Sequence, residues 1–424
     1  MSDAYVQAVQ RLFDLQRFGV KLGLVNIGRL LKLLGEPQAG RRVAIVGGTN
    51  GKGSVCAMLA AIGQAAGLRV GLFTSPHLVS FTERIQVNGA RIARHDVVEI
   101  SRLLWNVLQP YRKPEEPEPI TFFEMLTAMA SFFFHRQQVD LAVMEVGLGG
   151  RLDAVNALRR DLVVLTDLSI DHREYLGGEI ASIVAEKTAL FRPGTPAIAT
   201  GGIDDAAQLI AAQAEKAGCP LALLDRDFDF EARGGKLTVF TGGKAYAELP
   251  VPLAGPHQYR NTATAVRAAV ELGIDDAKTL RRGLAATRWP GRLERFAREP
   301  EWLLDCAHNP GGAEALAAAL PPHAPTIWLM TAMGDKDIEG IVAPLAPKVD
   351  GVVCTTLEMA RAASADQLGE IARRHSPRVE IEPDPDRAMD LAARRAGPRG
   401  RVLVAGSIYL VGRVRGRLTG ETGP

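Results

Sequence analysis

Apolar positions along this chain fall into two kinds of run. Short, nearly continuous apolar segments occur at Arg42-Val43-Ala44-Ile45-Val46, Val70–Phe73, Val139–Glu145 and Leu162–Thr166. Continuous apolar character suits strands covered on both faces, and hence a mostly parallel sheet. Between them lie longer stretches of helical period, including His95–Leu108 and Phe122–Arg136. Pro110–Pro119 is rich in proline and charge and reads as a surface loop. Around Phe228–Leu249 the pattern shortens and alternates with glycine turns, which predicts an antiparallel edge hairpin. After Trp289-Pro290-Gly291-Arg292 the strand–helix alternation restarts, with strands at Trp302–Leu304, Thr326–Met330, Gly351–Cys354, Val379–Ile381 and Arg401–Ala405. The pattern thus predicts an α/β protein of two domains with a cleft between them. Residues 1–290 form a mainly parallel sheet domain, of the P-loop ATPase type by the glycine-rich run Gly47–Ser54 after its first strand, and residues 291–424 a smaller Rossmann-like α/β domain. No internal repeat is visible.

Bulk properties narrow the class. A chain of 424 residues exceeds what one core usually serves. At 47% hydrophobic residues it is no disordered chain. A net charge of +2 gives no reason to expect nucleic acid, and the arginines of Arg413–Arg417 read as a solvated tail. Cys56, Cys219, Cys306 and Cys354 lie far apart without CxxC spacing, as reduced thiols of a cytoplasmic protein do. No apolar run is long enough to span a bilayer, and Met1–Gln10 lacks the design of a signal peptide. Neither a membrane nor a nucleic-acid partner is expected.

The chemistry concentrates in a few places. Gly47-Gly48-Thr49-Asn50-Gly51-Lys52-Gly53-Ser54 stands between a strand and an alanine-rich helical pattern. In that context backbone N–H groups and a helix N-terminus cradle phosphates, and Lys52 reaches the terminal ones. Gly53 occupies the place where serine or threonine usually follows the lysine, and the hydroxyl arrives one residue later. Ligands of parallel sheets bind beyond the carboxyl ends of the strands. Glu145 lies at such an end, where a carboxylate can hold Mg²⁺ bridging ATP phosphates. Asp171-His172 lies past another, as metal or phosphate contacts or as structural residues. In Ile180–Phe191, Lys187 falls near the centre of an apolar stripe. Such a lysine must snorkel, pair, lose its proton or be modified, and the pattern alone favours snorkelling. Asp305 ends a strand and can accept from ribose hydroxyls or an amine. Asn309 reads as a helix N-cap before Pro310, His257–Asn261 opens a helix, and Arg292 sits where a hinge arginine meets phosphates.

Taken together these residues resemble the folylpolyglutamate synthase/dihydrofolate synthase family of ATP-dependent Mur-type amide ligases, over nearly the whole chain. The likeness rests on Gly48–Ser54, Ser75-Pro76-His77-Leu78, Thr82-Glu83-Arg84-Ile85, Thr121-Phe122-Phe123-Glu124, Glu145–Ala154, Asp171-His172, Glu186-Lys187, His257-Gln258 with Asn261, Pro290-Gly291-Arg292, and Asp305 with Ala307-His308-Asn309-Pro310. The resemblance implies that Asn50, Gly51, Lys52, Gly53 and Ser54 hold ATP phosphates, with Asn261, Arg292 and Asp305 as further ATP contacts. It implies two Mg²⁺, one on Ser75 and Glu145, the second on His172 and a carbamylated Lys187, a reading that replaces snorkelling. Lys52, Lys187 and His172 become the catalytic set. Thr121, Phe122, Phe123, Glu124, Leu152, Asp153 and Ala154 match the pterin-side pocket, with Gly23–Arg29 near it. Val155 departs from the threonine usual in the family. The implied reaction adds L-glutamate to dihydropteroate and to reduced folates through an acyl phosphate, in an enzyme expected to be a monomer. Two rivals are a peptidoglycan Mur ligase, which carries a further N-terminal domain, and a non-catalytic nucleotide switch, which needs the phosphate loop without Glu145, His172, Lys187 and Asp305.

Overall fold

The computed structural model describes residues 2–18, 23–111, 120–169, 179–202, 205–322 and 325–423. His172 with Asp171, and most of the expected Pro110–Pro119 loop, lie outside the described residues.

Eight strands form the first sheet: β1 (Arg42–Gly47), β2 (Val70–Phe73), β3 (Ile85–Val87), β4 (Ala90–Arg91), β5 (Leu141–Glu145), β6 (Leu162–Leu165), β7 (Ala197–Ala199) and β8 (Leu221–Leu223). Their order is β4-β3-β2-β5-β1-β6-β7-β8. The β2-to-β8 span is parallel, and only β3 and β4 run antiparallel at one edge. The continuous apolar runs have a direct cause. Val43 and Ile45 enter one core cluster with Phe73, Met144 and Val163, while Ala44 and Val46 enter another with Val55, Val143 and Val164. Both faces are buried, so neither set of alternating positions is free to be polar.

The edge hairpin expected at Phe228–Leu249 is instead a separate antiparallel sheet of three strands, β9 (Asp229–Arg233), β10 (Lys236–Thr241) and β11 (Lys244–Pro250). Leu237, Val239, Tyr246 and Leu249 pack it into the second cluster, against the helix His257–Glu271, so its one apolar face is buried without joining the main sheet.

The remaining strands are β12 (Glu294–Phe296), β13 (Glu301–Leu304), β14 (Thr326–Met330), β15 (Gly351–Cys354), β16 (Val379–Ile381) and β17 (Arg401–Ala405). They order as β12-β13-β17-β14-β15-β16, antiparallel only at β12–β13. Leu303, Trp328, Met330 and Leu403 face one layer of helices, and Leu304, Leu329, Val402 and Val404 the other.

Arg413–Arg417 is no solvated tail. It belongs to the helix Ile408–Thr419, which buries Leu410, Val411, Val414 and Leu418 against this sheet. Its arginines pair outward: Arg413 with Asp386, Arg415 with Glu294 and Glu421, Arg417 with Asp390. The same helix lies on the loop that follows β2. A side chain at Gly412 would begin 2.0 Å from the Leu78 carbonyl oxygen, and Gly416 passes close to Val79. Glu421 reaches Arg91 on β4, which extends the contact.

This contact is testable. Gly412→Val forces backbone atoms apart where nothing flexible can yield, and overpacking of this kind costs about 1–3 kcal/mol. Each sheet keeps its own core, so far-UV circular dichroism should be retained. Thermal unfolding should lose the midpoint of the parent chain and split into two transitions. A single transition at the parent midpoint would contradict the role given to this contact.

Candidate active site

A cleft of about 1500 Å³ opens between the two large sheets, lined by residues from both. Its floor is the turn from β1 into the helix Lys52–Ala65. Two glycines here are required by space and conformation. Gly48 has φ +138°, and a Cβ would fall 1.9 Å from Thr166 Oγ1. Gly51 has φ +89°, and a Cβ would fall 2.6 Å from Asn261 Oδ1. The departure at Gly53 also has a steric cause: a Cβ there would lie 2.9 Å from Nε1 of Trp289, whose indole packs over the helix start. The loop is pinned to the end of β6 by Thr49 N–H donating to the Asp167 carbonyl (2.7 Å) and Thr49 Oγ1 donating to the Ser169 carbonyl (2.9 Å). Lys52 Nζ folds onto its own loop, donating to the carbonyls of Thr49 (3.0 Å) and Gly48 (3.2 Å).

Lys187 comes to the same carbonyl. It is 4% exposed, in the helix Ile180–Thr188, and its Nζ donates to Gly48 O at 2.9 Å. Its stem does not reach solvent. Glycines allow the approach: a Cβ at Gly150 would meet the Glu186 carbonyl at 2.8 Å and Lys187 Cα at 3.1 Å. Glu186 ties this loop to the helix, accepting from Arg151 N–H (3.1 Å) and Arg151 Nε (3.0 Å).

Glu145 ends β5 in the cleft, 5% exposed, and accepts the Ser75 N–H at 2.9 Å. Burial pushes its carboxyl above the ordinary range, against the pull of Lys52, the Ser75 N–H, Arg292 and Arg84. A buried carboxylate that accepts the Ser75 N–H and stands beside a serine hydroxyl is a fitting oxygen donor set for a hard cation. Among the described residues no group of three or more His, Cys, Asp or Glu is placed to hold a metal. A second metal on Lys187 would need a carboxylate on that nitrogen.

The pterin-side candidates line the same cleft. Thr121 and Glu124 also form a reciprocal cap on the helix Phe122–Arg136, and Glu124 accepts the Ile27 N–H at 3.2 Å, which brings in the Gly23–Arg29 segment. Phe123 lies against Gly147, and Phe122 stacks with Phe13 at 5.4 Å between ring centres. Asp153 accepts N–H groups of Gly147 and Leu148 (3.0 Å each) and Val155 (2.9 Å), with Leu152 and Ala154 beside it in the lining. Burial outweighs those three donors and pushes its carboxyl up to about 6.

Above the floor, Asp305 Oδ2 accepts Leu293 N–H and Oδ1 accepts Ala307 N–H, both at 2.9 Å, so this carboxylate shapes the linker next to Arg292. Asn309 caps its helix as expected, accepting Gly312 N–H at 2.8 Å. Its Nδ2 also donates to Asn50 Oδ1 at 3.0 Å, a direct bond between the second sheet's layer and the phosphate loop. Gln258 joins Asn261 (3.0 Å) to Ser54 (3.5 Å). The cleft therefore brings together every predicted site residue among those described. It adds three the sequence motifs contained without a role: Trp289, Gln258 and Arg84.

Models of known families match both halves: the Mur ligase middle domain over residues 46–269, and the Mur ligase glutamate ligase domain over residues 291–408. The dihydrofolate synthase/folylpolyglutamate synthase of Bacillus subtilis is 32% identical over 99% of this chain and 100% of its own length. The chain belongs to the dihydrofolate synthase/folylpolyglutamate synthase family of Mur ligases. Solved structures of the family superpose along nearly the whole chain. Mycobacterium tuberculosis folylpolyglutamate synthase complexed with ADP and AMPPCP has a TM-score of 0.91 at 32% identity, over 98% of this chain and 99% of that one. Escherichia coli FolC in complex with DHPP and ADP has a TM-score of 0.88 at 31% identity, over 97% and 98%. A probable bifunctional folylpolyglutamate synthase/dihydropteroate synthase of Haloferax volcanii is 37% identical over 97% of this chain, which spans half the length of that relative.

Asp153 generates a pH prediction. Its folded-state value, about 6, lies above the ordinary 3.8. Its contribution to stability is therefore fully present below about pH 4 and is lost as pH rises through about 6. Asp153→Asn should remove that slope, seen as a smaller fall in Tm between pH 4 and 6 than in the parent. An unchanged difference between the two proteins across that window would contradict the assignment.

Proposed function

We propose that this chain is an ATP-dependent acid–amino-acid ligase that joins the amine of L-glutamate to the carboxylate of dihydropteroate and of reduced folates through an acyl phosphate. The observation that carries the reading is the single cleft in which the phosphate loop, Glu145, Lys187 and an aromatic wall from Phe122 and Phe123 converge. The relatives named above for both activities support the two substrates. The division into residues 1–290 for ATP and the pterin, and 291–424 for closure and glutamate, is supported by the two separate sheets.

In this reading the flat bicyclic ring lies along Phe122 and Phe123, with Asp153 accepting from its N–H groups. That places the acid's carboxylate toward Lys52 and Glu145. The loop Asn50–Ser54 and the N-terminus of its helix hold the phosphates of ATP, while Asn261, Arg292 and Asp305 hold the nucleotide from the other side. Lys52 leaves its own loop carbonyls and follows the charge of the transferring phosphoryl group. Ser75 and Glu145 would hold one Mg²⁺, and a carbamylated Lys187 with His172 a second; bound there, the ions neutralise phosphate charge. The amine of glutamate then displaces phosphate from the acyl phosphate. Water must be excluded meanwhile, and the Asn50–Asn309 contact closes the second layer over the loop. The described lining of the cleft comes from one chain, which supports a monomer. The four free, buried thiols suit the cytoplasm, and among the described residues no helix is long and apolar enough to cross a membrane.

ADP formation should require dihydropteroate or a reduced folate together with L-glutamate. Lys52→Ala should lower turnover by about a hundredfold or more, since it removes a preorganised donor. ADP release that ignores the acid, or a variant with parental turnover, would reject the ligase reading.

Lys187→Ala should be inactive and regain part of its activity in acetate, which replaces the missing carboxylate. Mass measurement of the native protein should show the parent lysine carrying the added carboxyl. An unmodified amine in the active, ATP-bound enzyme would overturn the carbamylation.

A further inference from the structure

Arg84 is buried, 6% exposed, in the residue just before β3. Its guanidinium donates from Nε to His77 Nδ1, at 2.8 Å. His77 is a neutral partner: burial, and then Arg84 itself, push its imidazole down to about 3. The other close neighbour is the face of Phe122, 5.4 Å from the guanidinium carbon. Among the described residues no carboxylate lies within ion-pair distance of Arg84. The groups that act on it electrostatically are the phenol of Tyr409 and the carboxylates of Glu145 and Glu83, and both carboxylates are committed elsewhere. Glu83 receives the N–H groups of Leu78 (2.8 Å), Val79 (3.0 Å) and Ser80 (2.8 Å), and Glu145 receives that of Ser75. Arg84 lines the cleft.

A buried guanidinium held by an imidazole nitrogen and a phenyl face is a costly arrangement unless an anion completes it. Desolvation lowers its pKa only to about 10, so it remains charged at neutral pH. Its position selects the anion. Phe122 on one side belongs to the wall assigned to the pterin. Glu145 on the other ends the strand beside the phosphate loop. An acid that lies on Phe122 and delivers its carboxylate to the terminal phosphate of ATP must pass Arg84.

We infer that Arg84 binds the reacting carboxylate of the acid substrate and aims one of its oxygens at the transferring phosphoryl group. A planar fork of N–H donors suits a carboxylate, and holding one oxygen leaves the other free to attack. This rests on the ligase reading above.

The experiment measures ADP formation at varied dihydropteroate, ATP and L-glutamate for the parent, Arg84→Lys and Arg84→Ala. It also measures scrambling of bridge-labelled ATP with dihydropteroate present and glutamate omitted, which reports acyl-phosphate formation alone. Loss of a charge-assisted contact should raise KM for dihydropteroate about ten- to a hundredfold in Arg84→Ala and slow scrambling alongside. KM for ATP should stay within about twofold, because that substrate is held elsewhere. Arg84→Lys should fall between, and guanidinium ion should restore part of the activity of Arg84→Ala, which a merely structural role would not allow. A raised KM for glutamate with parental scrambling would move Arg84 to the amino-acid side and overturn the inference. So would parental kinetics, or a loss shared equally by all three substrates without guanidinium rescue. Absence of acid-dependent scrambling and of ADP formation in the parent would instead remove the ligase reading beneath it.

Discussion

Close packing around the phosphate loop is the constraint on which the rest of this structure depends. Residues Gly47–Ser54 are enclosed by Thr166 from the end of β6, Asn261 from the helix His257–Glu271, Trp289 from the linker and Lys187 from the helix Ile180–Thr188. Asn309 adds a fifth contact through Asn50. The first four approaches are possible only because a glycine stands opposite, at Gly48, Gly51, Gly53 or Gly150. A loop held from so many sides has little freedom left to lose when phosphates arrive, which is the physical meaning of preorganisation.

The same crowding couples the two halves of the chain. The helix Ile408–Thr419 rides on the Leu78–Val79 backbone through Gly412 and Gly416, and that backbone continues from Ser75. Glu83 fastens the segment with three N–H bonds, while Ser75 in turn donates to Glu145. The second layer is thereby connected through contiguous bonds to Glu145. Asn50–Asn309 and Asp305–Leu293 supply a parallel route through the loop and the linker. Both routes run from the second sheet's layer into the cleft that the glycine-rich loop lines.

What the sequence made legible follows from the range over which each feature is determined. The strands at 42–47, 70–73 and 351–354 and the cap at Asn309 are local, written in runs and in single residues. The phosphate loop is local too, and the central place of Lys187 in an apolar stripe correctly marked a buried lysine, though snorkelling was the wrong outcome to draw from the pattern alone. The short strands β3, β4 and β12 carry too few residues to show a period. Arg413–Arg417 misled because its charges hide the apolar positions that alternate with them in a helix. Arg84, Trp289 and Gln258 were visible only as members of motifs. Their roles depend on partners tens to hundreds of positions away, which no local pattern encodes. The three-stranded sheet was misplaced for the same reason: alternation reveals one buried face but not what buries it.

The central claim is that the acid's own carboxylate attacks the terminal phosphate of ATP. Dihydropteroate labelled with heavy oxygen in its carboxylate tests it most directly, with the inorganic phosphate collected after turnover with ATP and L-glutamate. An acyl phosphate requires one labelled oxygen to leave with each phosphate. Phosphate free of label, or label recovered in AMP, would contradict the account.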